Sequence, residues 1–439
     1  MWSYHPELLA RAVPRYTSYP TAAEFGDTVG PRDMADALAG VDPDAPVSLY
    51  LHIPYCRSIC WYCGCNTGAA NRTGRLEAYM TALDTEIALL TERVGDVRIG
   101  SIAFGGGSPN AIAPALFEAL VAHLRRAFRC EAPVLSIEID PRGFDADWAA
   151  VLGATGVSRV SLGVQTLDVQ VQAAIGRVQP VADIQRSVTL LRAVGVASIN
   201  FDLMYGLPGQ TEASVLATLR DSIAMGPDRL AVFGYAHVPA LVPRQRRIDA
   251  TALADAEARF AQAALAYEVL TDAGYVAVGF DHFARPDDAL ARASVTGTLR
   301  RNFQGFTADP AQTLIGLGAS AISDFPGALL QNEKNSGRYG MRIDAGGFAT
   351  ARGLRRTTED RVRGRAIESI LTRGIADLTA IADIDAIRAQ LLAFEHHGLV
   401  AWQGTVLHLA TDALPYARTI ASALDLYRPT APGRFSSAV

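Results

Sequence analysis

The stretch 50-YLHIPYCRSICWYCGCNT-67 holds four of the chain's five cysteines, Cys56, Cys60, Cys63 and Cys65. The apolar run VSLYLHI (47–53) leads directly into them, and its length and composition are typical of a buried β-strand. A cysteine-rich loop at the end of such a strand favours a metal centre at the carboxyl edge of a parallel sheet, where α/β folds place their chemistry. The fifth cysteine, Cys130, is predicted to be an ordinary buried or half-buried thiol.

The spacing of the four clustered cysteines distinguishes between kinds of metal site. A structural zinc site usually takes two separated pairs of ligands, and no second cysteine or histidine pair follows here at the expected spacing. An iron–sulfur cluster is a larger body, so a short loop can wrap around it and reach several of its corners with thiolates. If three thiolates bind, one iron keeps an open position. The iron–sulfur cluster is therefore favoured, with a compact zinc site as the alternative.

Composition and charge exclude several classes of protein. The 439 residues are 49% hydrophobic and 19% charged, which is typical of a soluble globular chain with a large core. The net charge of −5 argues against the basic surface that nucleic-acid binding requires. No apolar run is long enough to span a membrane. The N-terminal stretch has neither the basic nor the apolar region of a signal peptide. We therefore expect a cytoplasmic protein whose clustered thiols bind a metal or act in catalysis.

Short apolar runs alternate with amphipathic helical segments between about residue 47 and residue 240. Six such βα units fit in this range, which predicts an α/β fold with a parallel sheet curved into a partial barrel. The predicted organisation is an N-terminal arm at 1–45, a catalytic barrel with an extension at 46–335, and a mainly helical C-terminal domain with a small hairpin at 336–439. Residues 251–272 are predicted to form one long helix, and the glycine-rich stretch 300–323 a loop that lines the site.

The spacing Cys56-x3-Cys60-x2-Cys63 after the first strand resembles the signature of the radical S-adenosylmethionine enzymes. Cys65 extends the pattern to CxxxCxxCxC, which resembles the branch that includes oxygen-independent coproporphyrinogen III oxidase. Further motifs of that branch follow in family order: PRYTSYPTA (14–22), GGGSP (105–109), SIEIDPR (136–142), YGLPGQT (205–211), YAHVP (235–239), DHFARPDD (281–288) and RNFQGFT (301–307). The remaining tail resembles the family's helical C-terminal domain more loosely.

The resemblance implies a partial (β/α)6 barrel in which Cys56, Cys60 and Cys63 bind one [4Fe–4S] cluster and S-adenosylmethionine chelates the fourth iron. Reductive cleavage of S-adenosylmethionine gives a 5′-deoxyadenosyl radical, which takes a hydrogen from the β-carbon of a propionate side chain. Loss of CO2 and one electron leaves a vinyl group, and two such conversions turn coproporphyrinogen III into protoporphyrinogen IX for haem and porphyrin biosynthesis. A reductant such as flavodoxin or ferredoxin and a monomeric chain are expected.

The resemblance also implies two bound molecules of S-adenosylmethionine. Positions for the first fall on Tyr50, Gly106, Glu138 and Ile322. Positions for the second fall on Tyr62, Gly107, Ser108, Gln165, Arg177, Asp202 and Ala236. These residue types suit the task, because glycines let a ligand approach the backbone and carboxylates accept hydrogen bonds from hydroxyl and ammonium groups. His52 is a candidate for contacting substrate, although a histidine on an apolar strand more often makes structural hydrogen bonds.

Departures from the family pattern leave two alternatives open. GGGSPN stands where GGGTPT is usual, and Gly234 stands where asparagine is common. One alternative is a relative that binds haem as a chaperone, although those relatives lack the PRYTSYPTA arm and carry phenylalanine in place of Gly64. The other is a radical enzyme that acts on a different substrate, such as a methyltransferase or a haem-opening enzyme acting on another tetrapyrrole.

Overall fold

The computed structural model describes residues 2–428. In chain order, the strands are β1 Val47–Ile53, β2 Tyr55–Cys56, β3 Gly68–Ala69, β4 Ile99–Gly106, β5 Val134–Ile139, β6 Arg159–Gln165, β7 Ser198–Tyr205, β8 Arg229–Gly234, β9 Val276–Val278, β10 His282–Ala284, β11 Arg300–Asn302, β12 Gly305–Thr307, β13 Thr313–Leu317, β14 Ile322–Phe325, β15 Ala328–Asn332, β16 Thr350–Arg355, β17 Ile375–Asp377, β18 Val400–Gln403 and β19 Val406–Leu409. In chain order, the α-helices are α1 Pro6–Leu9, α2 Pro31–Ala39, α3 Thr73–Val94, α4 Pro114–Ala127, α5 Ala146–Ala154, α6 Val169–Ala174, α7 Val181–Ala193, α8 Glu212–Ala224, α9 Ala256–Asp272, α10 Ala289–Thr296, α11 Ser336–Asp344, α12 Thr358–Arg373, α13 Ile384–His396 and α14 Ala417–Ala421. Each helix within residues 2–428 is too short or too polar to span a membrane.

Six parallel strands form the wall of the barrel, which confirms the predicted fold class. β1, β4, β5, β6, β7 and β8 lie side by side in that order, and each is parallel to the next. In β1 the buried apolar residues Val47, Leu49, Leu51 and Ile53 alternate with Ser48, Tyr50 and His52. Because successive side chains of a strand point to opposite faces, the apolar residues share one face and the polar residues share the other.

A further parallel strand lies on the other side of β1, where the sequence predicts a loop. β13 pairs with β1 in parallel, with Gly316 opposite Tyr50. The prediction of a loop over residues 300–323 is wrong here, and also at β11, β12 and the beginning of β14. A Cβ atom at Gly316 would lie 2.5 Å from the carbonyl oxygen of Ile322. Glycine is therefore needed for β14 to fold back closely onto β13, and the same glycine weakens the strand pattern in the sequence.

Antiparallel strands extend both edges of this sheet. β10 and β9 follow β8 at one edge, and β14, β15 and β16 follow β13 at the other. β16 lies beyond residue 336, so the sheet continues past the predicted domain boundary, which stays a prediction. After β16 come helices and the hairpin of β18 and β19, as the sequence predicts. Residues 429–439 of the predicted C-terminal domain lie outside the described residues.

The long helix predicted over residues 251–272 is shorter than expected at its beginning. The helix α9 begins at Ala256, because the Asp255 carboxylate accepts a hydrogen bond of 2.8 Å from the backbone N–H of Ala258 and caps the first turn. A separate short 3-10 helix at Ala250–Ala252 precedes it and has its own cap, Asp249.

A buried carboxylate joins α3 to α11 and to the turn between β13 and β14. The Oε2 atom of Glu86 accepts hydrogen bonds from the backbone N–H of Gly318 (2.6 Å) and the hydroxyl of Tyr339 (2.7 Å), and its Oε1 atom accepts one from the amide of Asn332 (2.7 Å). Burial raises the pKa of Glu86 to about 7, against the opposite effect of these three bonds. The side chain thus holds together elements that are distant in the sequence.

The substitution Glu86→Ala is expected to lower the free energy of unfolding by about 3–5 kcal/mol, because it leaves three buried donors without acceptors. Denaturant unfolding followed by circular dichroism measures the loss. Glu92→Ala removes an exposed carboxylate from the same helix and should change stability by less than about 0.5 kcal/mol. Equal losses in the two variants would contradict a stabilising role for the Glu86 hydrogen bonds.

Candidate active site

The cysteine loop lies at the carboxyl edge of the parallel strands, as predicted. After β1 the chain enters β2, which pairs in parallel with β3 at the far end of the loop. Between these two short strands, the backbone N–H of Trp61 donates a hydrogen bond of 3.0 Å to the carbonyl oxygen of Ile175. The loop is therefore held at both ends and near its centre.

The four thiols of the loop are free and have different surroundings. Cys56 Sγ lies 3.1 Å from the hydroxyl oxygen of Thr67. The pKa of Cys63 is lowered to about 6, chiefly because the Cys65 thiol donates a hydrogen bond to it. The same hydrogen bond raises the pKa of Cys65. The Cys63 Sγ atom also accepts a hydrogen bond of 3.4 Å from the backbone N–H of Cys65.

Two arginines surround Cys60 with positive charge. Its Sγ atom accepts hydrogen bonds from the guanidinium groups of Arg177 (3.2 Å) and Arg142 (3.4 Å). Both guanidinium groups also pair with Asp140, at 2.6 Å from Arg142 and 3.3 Å from Arg177. Burial opposes the charge of Arg177, but Tyr62, Asp140 and Cys60 outweigh burial and raise its pKa. Three free thiols, of which Cys60 has two guanidinium groups beside it, fit an iron–sulfur cluster, which is held by negatively charged thiolates.

The end of β4 packs directly beneath the cysteine loop. The backbone N–H groups of Gly107 and Ser108 donate hydrogen bonds to the carbonyl oxygens of Ile53 (2.9 Å) and Tyr55 (2.8 Å). A Cβ atom at Gly107 would lie 2.5 Å from the Tyr55 carbonyl oxygen and 2.7 Å from the hydroxyl of Thr67. Only glycine permits this close approach, so Gly107 supports the cysteine loop whether or not it also contacts a ligand.

Three of the residues predicted to bind the first S-adenosylmethionine lie together. The backbone N–H of Gly106 donates a hydrogen bond of 3.2 Å to Oε2 of Glu138, and the Tyr50 side chain lines the same cavity. Glu138 is open to this cavity but lies deep in the barrel, and burial raises its pKa to about 7. Ile322 is the first residue of β14. Its backbone packs against Gly316 of β13, the residue that pairs with Tyr50. Binding of S-adenosylmethionine by these residues stays a prediction.

His52 has both ring nitrogens engaged in hydrogen bonds. Nε2 lies 3.1 Å from the carbonyl oxygen of Asn66, and Nδ1 lies 3.1 Å from the hydroxyl of Tyr50. Because a carbonyl oxygen can only accept, Nε2 carries the proton and Nδ1 accepts from Tyr50. Burial lowers the pKa of His52. These contacts support a structural role, and contact with substrate stays a prediction.

The residues predicted for a second S-adenosylmethionine divide among several environments. The side-chain amide of Gln245 donates hydrogen bonds to the backbone carbonyl oxygens of Tyr62 (2.8 Å) and Ala236 (3.0 Å). It thereby links these two residues. The Ser108 hydroxyl accepts a hydrogen bond of 3.2 Å from the backbone N–H of Asp140. These contacts are internal to the protein.

The other predicted positions of this group lie nearer the barrel axis. Arg177 donates a hydrogen bond of 2.5 Å to the carbonyl oxygen of Gly163 in β6. Gln165 is the last residue of that strand and has a φ of 67°. Asp202 lies deeper in the barrel and accepts a hydrogen bond of 2.7 Å from Ser161. A role in binding a second S-adenosylmethionine stays a prediction for all seven residues.

Two cavities meet at Tyr50 and Glu138. The outer one has a volume of about 590 Å³ and is lined by Cys65, Arg244 and Lys334, among others. The inner one has a volume of about 270 Å³ and continues along the barrel axis among polar side chains. The outer volume is within the range of cavities that bind small molecules. The candidate site thus combines the cysteine loop, the Glu138 carboxylate and a cavity with positive charges at its edge.

Known proteins are similar to this chain in sequence over most of its length. Residues 50–222 match the family model of the Radical SAM superfamily. A Bradyrhizobium diazoefficiens protein named oxygen-independent coproporphyrinogen III oxidase is 44% identical to this chain over 425 residues, which covers 94% of each. A protein of the same name from Pseudomonas aeruginosa is 37% identical over 433 residues, which covers 95% of this chain and 94% of the relative. This chain belongs to the oxygen-independent coproporphyrinogen III oxidase family.

A solved structure of a family member supports the assignment. The chain matches that of coproporphyrinogen III oxidase (HemN) from Escherichia coli, described as a radical SAM enzyme, with a TM-score of 0.91 and 33% identity. The match covers 97% of this chain and 100% of the Escherichia coli chain. It therefore includes the N-terminal arm and the C-terminal helices as well as the barrel. Membership of the superfamily confirms the class of cofactor, an iron–sulfur cluster with S-adenosylmethionine.

Sequence reasoning missed two residues that organise the site. Arg142 pairs with Asp140 and donates to Cys60, and it lies in the motif SIEIDPR, so the signal was present. Gln245 joins the loop at Tyr62 to Ala236 through one amide group. Its surroundings in the sequence, VPRQRR, carry no pattern that would identify this role.

The substitution Gly107→Ala is expected to displace the cysteine loop, because the new methyl group would overlap the Tyr55 carbonyl oxygen. The variant should be about 1–3 kcal/mol less stable and should hold less iron after anaerobic reconstitution. Gly64→Ala is the matched control, since a Cβ atom there would have its nearest neighbour, a Val242 methyl group, at 4.0 Å. Iron and sulfide per chain are measured for both. Wild-type iron content in Gly107→Ala would show that the loop does not depend on this contact.

Proposed function

We propose that this chain catalyses the oxygen-independent oxidative decarboxylation of two propionate side chains of coproporphyrinogen III to vinyl groups, which yields protoporphyrinogen IX. The proposal rests above all on the cysteine loop, whose three cluster-type thiols lie at the carboxyl edge of the barrel beside the cavity that contains Glu138. The two relatives described above carry the name of this activity, and their matches cover 94% and 95% of the chain. Each conversion removes one hydrogen atom, one CO2 molecule and one electron from a propionate.

Cys56, Cys60 and Cys63 are the residues that would hold one [4Fe–4S] cluster. When bound, the cluster and S-adenosylmethionine supply the radical that breaks an unactivated C–H bond, which ordinary acid–base side chains cannot do. Cys65 would stay a thiol at the cavity wall. We further propose two molecules of S-adenosylmethionine per chain, at the two groups of positions described above.

The protein's own residues would position these groups and exclude water. Arg142 and Arg177 compensate the negative charge of the thiolate at Cys60. Glu138, whose pKa lies near 7, can accept a hydrogen bond from a ribose hydroxyl or an ammonium group, and such a contact favours its charged form. At the edge of the outer cavity, Arg244 and Lys334 would attract a substrate that carries four carboxylates. Orientation of the reacting propionate next to the radical then follows from binding.

The reaction also requires an electron donor and a reducing compartment. We propose a small electron carrier such as flavodoxin or ferredoxin as the reductant. The protein would act in the cytoplasm as a monomer. Free, unpaired thiols at all five cysteines are consistent with such a compartment.

Activity is tested with protein that is purified without oxygen and reconstituted with iron and sulfide. Reductant, S-adenosylmethionine and coproporphyrinogen III are added, and protoporphyrin is measured after oxidation of the products. We expect protoporphyrin to form only when every component is present. Cleavage of S-adenosylmethionine without any vinyl product would contradict the oxidase proposal. Stoichiometric haem binding without turnover would favour the chaperone alternative.

Alanine variants of the cysteines separate ligands from neighbours in the same assay. Alanine at Cys56, Cys60 or Cys63 should abolish the cluster and reduce product formation to background, because each thiolate holds one iron. Cys65→Ala should retain the cluster, and Cys130→Ala is the control that should retain both cluster and activity. Iron content and visible absorption are measured for each variant. Loss of the cluster in Cys65→Ala would contradict the three-ligand assignment.

A further inference from the structure

Two histidines and one carboxylate meet on the surface where the N-terminal arm contacts the C-terminal helices. His5 and Glu7 lie at the beginning of the chain, and His397 follows the end of α13. One possible ligand atom from each of the three lies within 4.8 Å of the other two. The site is far from the cysteine loop in the sequence and takes no part in the function proposed above.

One oxygen of the carboxylate faces both imidazole rings. Glu7 Oε1 lies 3.1 Å from Nε2 of His397 and 4.0 Å from Nδ1 of His5. The two rings pack against each other with their centroids 4.0 Å apart. Ligands of a tetrahedral zinc ion lie about 3.3 Å from one another. Side-chain shifts of roughly 1 Å would therefore bring the three atoms into ligand positions.

The arm is fixed beside this cluster by a buried tyrosine. The hydroxyl of Tyr416 accepts a hydrogen bond of 3.0 Å from the backbone N–H of His5 and donates one of 2.6 Å to the carbonyl oxygen of Ser3. Tyr416 is fully buried, so its position is well defined. A histidine whose backbone is held in this way loses less freedom when its ring binds an ion, which favours binding.

We propose that His5, Glu7 and His397 form a surface site for a divalent transition-metal ion, specifically Zn²⁺. Two imidazole nitrogens and one carboxylate oxygen suit zinc, whereas calcium and magnesium prefer sites made of oxygen ligands. Three protein ligands leave a fourth tetrahedral position for water. The ion joins the arm to the C-terminal helices, because its ligands come from both.

The ion would act as a clamp on the N-terminal arm. The arm also contacts the barrel, since Arg15 donates a hydrogen bond of 2.9 Å to the carbonyl oxygen of Gly234 at the end of β8. An ion that binds only the docked arm lowers the fraction of opened arm by the factor 1 + [Zn²⁺]/Kd. Zinc should therefore reduce local opening of the arm without altering the barrel.

Equilibrium dialysis with radiolabelled Zn²⁺ tests the site directly, using the untagged full-length protein with its cluster loaded. Wild-type protein should bind one more zinc ion per chain than His397→Ala or Glu7→Gln. His396→Ala is the matched control, because it removes the neighbouring exposed histidine and should bind as wild type does. Equal zinc stoichiometry in wild type and His397→Ala would overturn the proposal and leave only a surface ion pair.

Limited trypsin digestion measures the clamp without using enzyme activity. Cleavage after the exposed Arg11 requires the arm to open locally. At a zinc concentration ten times the dissociation constant, the open fraction and the cleavage rate should fall about tenfold in wild type. The rate should not change with zinc in His397→Ala. Protection by zinc that persists in His397→Ala would contradict the clamp, and neither result depends on whether the chain acts on coproporphyrinogen III.

Discussion

Close approach of the backbone at the end of β4 is the constraint on which the site depends. Added Cβ atoms at residues 105–107 would meet, in turn, the Glu138 carboxylate at 2.9 Å, the His52 ring at 2.6 Å and the Tyr55 carbonyl oxygen at 2.5 Å. Three consecutive glycines therefore place the carboxylate, the histidine and the cysteine loop around one short segment. A side chain at any of these positions would push one of the three away from the others.

The charges of the site are separated in space. Guanidinium groups lie around the Cys60 thiol, where negative charge from thiolates is expected. Glu138 and Asp202 lie deeper in the barrel, and burial raises the pKa of both. An environment of this kind favours positively charged or hydroxyl-bearing groups near the carboxylates and anionic groups at the mouth. This arrangement suits a sulfonium cofactor inside and a substrate with several carboxylates outside.

Much of the barrel was predictable, because alternating apolar runs and helical segments are local patterns. β13 was not, since its pairing with β1 joins residues far apart in the sequence and Gly316 interrupts its apolar run. The first residue of α9 depends on whether Asp249 or Asp255 caps the helix. Both are suitable N-cap residues, so the sequence alone does not decide between them. Within the site, the cysteines were predictable from spacing, whereas Gln245 acts through hydrogen bonds to carbonyl groups that no spacing rule describes.

A cluster held by three cysteines would leave one iron open for the cofactor. Electron–nuclear double resonance tests it on the reduced, cluster-loaded protein with S-adenosylmethionine that carries ¹⁷O in its carboxylate. If Cys56, Cys60 and Cys63 are the ligands, the labelled oxygen should couple strongly to the cluster spin. Absence of coupling, with a spectrum that S-adenosylmethionine does not change, would indicate that Cys65 or another group closes the fourth position and would contradict the three-ligand assignment.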